Sequence, residues 1–158
     1  MGFLFAIGAI VVVLDQITKF LVSGHMVINT AREIIPGLFN LVYVRNTGAA
    51  FSLLAGADPS WRQTFFVVMS VLGVAVISIA YLRTPRRERW NRWALALLFG
   101  GALGNLVDRV RFGSVVDFLD FYVGGRHWPA FNVADSAISV GAVMLILALL
   151  TAKRPARG

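Results

Sequence analysis

Apolar positions in this chain fall into four long runs, each broken by few polar residues. A helix needs about 20 apolar residues to cross a hydrocarbon core of about 30 Å. Segments at about 3–22, 63–82, 93–110 and 131–152 approach that length. The second is the cleanest, with no charge between Gln63 and Leu82. The first is interrupted by Asp15 and Lys19, the third ends in Asp108 and Arg109, and the fourth carries Asp135 near its start. No basic stretch precedes the first run and no small-x-small site follows it cleanly, so a retained helix is expected rather than a cleaved leader.

The two longer connections read differently. Within about 26–60, residues 38–44 are mostly β-branched, aromatic or apolar. Pro36-Gly37 before them and Asn46-Thr47-Gly48 after them are turn signals. Short strands forming a small sheet at the membrane surface are expected there, the alternative being an irregular loop. The 110–130 connection holds Gly113, Gly124, Gly125 and Pro129 with Tyr122, His127 and Trp128, aromatic residues suited to a membrane–water interface. No internal repeat is visible, which counts against a transporter built from inverted halves.

Composition agrees with a membrane domain. The 158 residues are 58% hydrophobic and 15% charged, with mean hydropathy +0.73, against roughly 25% charged in soluble domains. Intrinsic disorder is excluded by the apolar content. The lack of cysteine removes disulfides, thiol catalysis and thiolate-held metals. Net charge is +7, but five of the 15 basic residues lie within 83–92 and three more near the end, at Lys153, Arg154 and Arg157. Clusters flanking apolar runs mark cytoplasmic loops, and with no recognition motif beside them no nucleic-acid partner is expected. Both termini and the 83–92 loop are then cytoplasmic, and the 26–60 and 110–130 connections face outward. One polytopic membrane domain, 1–158, is expected.

Ionisable groups inside spanning segments are costly and tend to face the bundle interior. Asp15 and Lys19, four apart, share a helix face and are placed to pair. Asn105, Asp108 and Arg109 share another face, and Asn132 and Asp135 a third. Asp117 sits in the apolar run Val115-Val116-Asp117-Phe118-Leu119. All of these lie toward the outward ends. A proton path would spread acids through the depth of the membrane, whereas a catalytic site near one face would cluster them.

Two carboxylates in a poorly solvated site share one proton, so one can activate water while the other protonates a carbonyl. Asp15 has Lys19 to pair with, and Asp108 has Arg109 beside it. Asp58 and Asp120 are expected in solvent, and His127 at the interface. Asp117 and Asp135 lie in apolar settings with no basic residue within four positions. No nucleophile elbow, zinc motif or metal site is present, and no cofactor is expected. Two other readings stay open on spacing alone: a transporter or channel relaying protons through Asp15 and Asp135, and a scaffold whose acids only pair helices. The pair Gly100 and Gly104, four apart, is expected to let another helix approach.

Five blocks in order resemble the bacterial lipoprotein signal peptidases, also called signal peptidase II. They are Leu14-Asp15-Gln16 with Lys19; Arg45-Asn46-Thr47-Gly48-Ala49-Ala50-Phe51-Ser52; the stretch from Gly100-Gly101 through Asn105 to Asp108-Arg109; Val115-Val116-Asp117-Phe118; and Phe131-Asn132-Val133-Ala134-Asp135-Ser136. The resemblance runs over about residues 3–152. It implies an α-helical integral membrane protein with four transmembrane helices, a small extracytoplasmic β-sheet cradle in the 26–60 loop, and a short covering helix near Asp120 to Trp128. It also implies an aspartic endopeptidase of the bacterial inner membrane. By that resemblance the catalytic pair is Asp117 and Asp135, supported by Asp15, Lys19, Asn46, Gly48, Asn105, Asp108, Arg109, Asn132 and Ala134. The implied substrates are diacylglyceryl-modified prolipoproteins held in membrane lipid and cut on the amino side of the lipidated cysteine. The implied inhibitors are of the globomycin type.

Overall fold

The structure is a computed structural model and describes residues 1–48 and 59–151. Its elements run α1 (Gly2–His25), β1 (Ala31–Ile35), β2 (Phe39–Asn46), α2 (Pro59–Arg83), α3 (Arg89–Phe112), β3 (Val115–Val123), β4 (Arg126–His127) and α4 (Val133–Thr151). All four helices are long and apolar enough to cross a membrane. Large apolar side chains such as Phe20, Val76, Leu82, Leu149 and Leu150 lie more than half exposed on their outer faces, as side chains facing lipid rather than a core would.

The third helix begins at Arg89, inside the basic stretch. Arg89 to Arg92 contain no breaker after Pro85, and long basic side chains reach past a helix end while their stems stay on it. α3 stands at the centre, packed against α1, α2 and α4. The approach of α1 depends on missing side chains. A Cβ on Gly100 would lie 2.7 Å from Val11 Cβ and 3.0 Å from the Gly8 backbone. One turn on, a Cβ on Gly104 would lie 2.8 Å from Asp15 Oδ2 and 3.2 Å from Ala134 Cβ. The expected close helix approach is therefore what these two glycines provide. Leu4, Tyr81, Leu95, Ala96 and Phe99 form the buried apolar cluster at one end of the bundle.

At the other end the two long connections form one four-stranded antiparallel sheet, in the order β1-β2-β3-β4. Leu38 N–H donates to Ile35 C=O at 3.1 Å across Pro36-Gly37, closing the β1–β2 turn. β2 then pairs with β3, setting Val44 opposite Asp117 and Asn46 opposite Val115. The Gly124-Gly125 turn joins β3 to β4. Val22, Tyr43, Val116 and Phe118 form a second buried cluster that seats the sheet on α1.

Two expectations are corrected here. The sheet draws half its strands from the 110–130 connection, not from the 26–60 loop alone. Residues 120–128, expected as a short covering helix, are the end of β3, a turn and β4. Val115 to Val123 is rich in β-branched and aromatic residues, which favour a strand, and the paired glycines close a two-residue hairpin.

Between the two apolar clusters lies a buried polar layer. Lys19 Nζ reaches Asp15 Oδ2 at 2.8 Å and Asp108 Oδ2 at 2.9 Å. Its third bond goes to Asn105 Oδ1 at 3.0 Å. The expected Asp15–Lys19 pair is thus half of a larger group, and Asp108 pairs with Lys19 rather than with neighbouring Arg109.

Three stability outcomes follow from this packing. Gly100→Val should lower thermal stability in detergent by about 1–3 kcal/mol through overpacking. Gly73→Ala, where a Cβ meets nothing within 4 Å, should leave it unchanged or slightly raised. Lys19→Met should cost about 3–5 kcal/mol, because it strands two buried carboxylates. Equal melting of Lys19→Met and the parent protein would show that the charged group holds nothing together.

Candidate active site

The site is assembled where β3 and the start of α4 meet the ends of α1 and α3. Asn132 precedes α4 and caps it: its Oδ1 accepts Asp135 N–H at 2.9 Å, and its C=O accepts Ser136 N–H at 3.1 Å. Asp135 Oδ2 in turn accepts Asn132 N–H at 3.3 Å. This is a reciprocal capping box with Asn and Asp in its two positions. Local helix chemistry therefore fixes where Asp135 stands.

Asp117 is fixed by the sheet. It is buried on β3, and both its oxygens accept amide hydrogens: Oδ2 from Asn46 Nδ2 at 3.0 Å and Oδ1 from Asn132 Nδ2 at 2.8 Å. Asn46 is itself oriented by a turn, since its Oδ1 accepts Gly48 N–H at 2.9 Å. Gly48 has φ +80°, and a Cβ there would also strike the Phe66 ring. A side chain at 48 would thus disturb the amide that contacts Asp117.

Asn105 bridges the ion group and the acids. Its Oδ1 accepts from Lys19, and its Nδ2 donates to Asp135 Oδ1 at 2.7 Å. Asn132, fully buried, donates to Asp117, to Val116 C=O and to Asn105 Oδ1. The carboxylates of the ion group also hold backbone. Asp15 Oδ1 accepts Ala134 N–H at 2.9 Å in the first turn of α4, and Asp108 Oδ2 accepts Val116 N–H at 3.0 Å at the start of β3.

Asp117 and Asp135 both line a groove of about 520 Å³. Asn46 and the Trp128–Phe131 segment form part of its wall, and Ser136, Ser139 and Val140 extend it along the surface of α4. Burial, with the nearby Asp135 charge adding to it, raises the Asp117 carboxyl to about 6, against the lowering effect of its two asparagine donors. A group so placed keeps its proton up to about pH 6 while lining the groove.

Of the supporting residues, Asp15, Lys19, Asn105, Asp108, Asn132 and Ala134 belong to one connected buried network with the acid pair, and Asn46, at the end of β2, joins it together with Gly48 in the turn that follows. Arg109 does not hydrogen-bond any of these groups. Its Nη1 donates to Ser70 Oγ at 3.3 Å and its guanidinium lies 5.9 Å from the Phe66 ring centroid, on the α2 side. Ala49 to Ser52 of the second block, and Asp58, lie outside the described residues.

Asp120 is a correction: it is buried, not solvated. Asn40 Nδ2 donates to it at 2.9 Å, and His127 Nδ1 lies 2.9 Å away. Their pairing follows from cross-strand register, Asn40 opposite Asp120, which required knowing that the two connections form one sheet. Gln16, not among the expected supporting residues, braces the Lys19 group. Its Nε2 donates to Asp108 Oδ1 at 2.8 Å and to Asp15 Oδ2 at 3.2 Å. A signal existed, since a carboxamide next to Asp15 in an apolar helix needs a partner. Among the described residues no group of three or more His, Asp or Glu side chains is placed to hold a metal.

With this geometry established, known proteins place the chain. Residues 7–151 match the family described as signal peptidase (SPase) II. A lipoprotein signal peptidase of Desulforapulum autotrophicum is 47% identical over 149 residues, covering 94% of this chain and 92% of that protein. One from Geobacter sulfurreducens is 49% identical over 142 residues, covering 90% and 88%. Among solved structures, a bacterial membrane enzyme determined by the in meso method at 1.9 Å superposes with a TM-score of 0.85 at 35% identity, covering 97% of this chain and 96% of that one. These matches span nearly the whole chain, in sequence and in fold, and the chain belongs to the signal peptidase II family.

Proposed function

We propose that this protein removes the signal peptide from diacylglyceryl-modified prolipoproteins, cutting on the amino side of the lipidated cysteine, with Asp117 and Asp135 as the catalytic pair. The observation that carries this is one asparagine holding both acids. Asn132 donates its side-chain amide to Asp117 and its backbone N–H to Asp135, so a strand and a helix present their carboxyls to one groove.

The chemistry needs nothing more than these residues and water. A water held between the carboxyls attacks the scissile carbonyl as one carboxylate takes its proton. The protonated partner gives its proton to the carbonyl oxygen, forming a neutral tetrahedral diol. When the C–N bond breaks, one diol hydroxyl returns its proton to a carboxylate, and the departing nitrogen takes a proton from the other acid. The pair ends with one proton, as it began. Asp117 is the natural holder of the shared proton, because burial keeps its carboxyl neutral up to about pH 6.

The groove suits a membrane-held substrate. Its floor along Ser136, Ser139 and Val140 follows one face of α4, so a substrate segment in the bilayer can lie alongside that helix. The basic α2–α3 turn argues for a cytoplasmic location of that end. The sheet and the acids then face the extracytoplasmic side, and both termini the cytoplasm. Globomycin-type inhibitors would compete for the same groove. Asp15 fits a support rather than a proton relay, since its oxygens are committed to Lys19, Gln16 and the start of α4.

Cleavage of a purified diacylglyceryl-modified precursor provides the direct test. Asp117→Asn and Asp135→Asn, each verified as folded, should lower kcat by about 10²- to 10⁴-fold. Retained turnover in either variant would remove that acid from the pair and make Asp108 the next candidate.

The pH dependence gives an independent check. A pair that must carry one proton loses it as pH rises, so kcat/KM should fall above an apparent pKa near 6, by about tenfold per pH unit. The linked effect on folding has the same sense. The raised Asp117 pKa contributes stability fully below about pH 4, and that contribution is lost as pH rises through about 6. A rate that climbs steadily from pH 5 to 8 would contradict a protonated partner.

A further inference from the structure

At the end of the bundle remote from the acids, α2 turns into α3 through a stretch crowded with arginine. Arg83, Arg86, Arg87, Arg89 and Arg92 lie within ten positions, with Glu88 as the one acid among them. Glu88 spends Oε2 on Asn91 Nδ2 at 2.9 Å. Among the described residues the ion pairs are those of Lys19 and His127, so these arginines have no carboxylate partner.

A groove of about 290 Å³ is lined by Arg86, Arg89, Arg92, Phe3 and Trp93. Its two halves differ in kind. Arg92 is fixed in place: Nη1 donates to Thr84 C=O at 3.2 Å, Nη2 to Tyr81 Oη at 2.5 Å, and the guanidinium lies 4.1 Å from the Tyr81 ring centroid. Arg86 and Arg89 bring two further positive charges to the same walls. The N-terminus of α3 adds its partial positive charge, with no side-chain cap and no acid in its first turn. The other half is apolar. Phe3 and Trp93 meet edge to face at 4.8 Å and stay 37% and 45% exposed.

The geometry points to this groove as a binding site for an anionic phospholipid, the headgroup phosphate among Arg86, Arg89 and Arg92, and the upper acyl chain against Phe3 and Trp93. Three guanidiniums supply forked donors that match phosphate oxygens. The aromatic wall opens toward the apolar girdle of the bundle, which a soluble phosphate would not use and a lipid would. Such a lipid would tie α1 to α2 and α3 at the end remote from the Lys19 group. This site is separate from the acid pair and does not depend on its role.

The test uses the full-length protein in zwitterionic detergent, with native mass spectrometry counting bound phosphatidylglycerol against phosphatidylcholine. The parent protein should retain one phosphatidylglycerol in preference to phosphatidylcholine. Arg86→Gln with Arg89→Gln should bind it about 30-fold more weakly, at roughly a tenfold loss per 1.4 kcal/mol and about 1 kcal/mol per arginine near the headgroups. Arg126→Gln, on β4, should change nothing. Excess inorganic phosphate should leave the bound phosphatidylglycerol in place. Equal retention of the two lipids, or unchanged binding in the double variant, would overturn the proposal. So would displacement by inorganic phosphate, which would make this a soluble-phosphate site. If the double variant unfolds, Arg86→Gln alone should still weaken binding about fivefold, and no loss there would be equally decisive.

Discussion

The site depends on one buried ammonium. Lys19 has three N–H donors and spends one each on Asp15, Asp108 and Asn105. Alone in an apolar bundle such a charge would be expelled or neutralised. Between two carboxylates it is held, and it links α1 to α3 at the depth where both turn toward the sheet. The rest of the site is built outward from the oxygens of those two carboxylates.

Those oxygens reach other elements. Asp15 takes a backbone N–H from the first turn of α4, and Asp108 takes one from the start of β3. Asp135 lies one residue beyond the first of these contacts, and Asp117 one residue beyond the second. Asn105 and Asn132 then close the circuit from the ammonium to both acids. The acids are thus positioned by hydrogen bonds of fixed direction rather than by apolar packing, which would tolerate sliding. The proposed reaction, with two carboxyls sharing one water, would require that kind of support.

The sequence was most legible where physics is local. Four apolar runs, the Pro36-Gly37 turn, the pairing of Asp15 with Lys19 and the glycine face at 100 and 104 all follow from spacing along one element. Asp117 and Asp135, set in apolar sequence with no basic residue within four positions, share the groove. What stayed hidden was set across elements. Asp120 looks solvated along the chain, yet its cross-strand partner Asn40 lies 80 positions away. The stretch 120–128 gave no sign of joining the first connection's strands, because antiparallel partners leave no mark on each other's sequence. Asp108 beside Arg109 suggested a local ion pair, but neighbours on a helix point about 100° apart, and Asp108 turned inward to Lys19 while Arg109 turned to α2.

Stability alone does not explain a buried Lys–Asp–Asp group. Well-packed apolar side chains of similar size often hold helices as well or better. What apolar side chains lack is a fixed direction. If Lys19, Asp15 and Asp108 were all replaced by apolar residues, α1 and α3 could still pack through Gly8, Gly100 and Gly104. The N–H groups of Ala134 and Val116 would lose their acceptors, however, and the start of α4 and of β3 would be free to settle elsewhere. The cost of burying these charges is therefore best understood as the cost of placing two acids, one on a helix and one on a strand, at a single point.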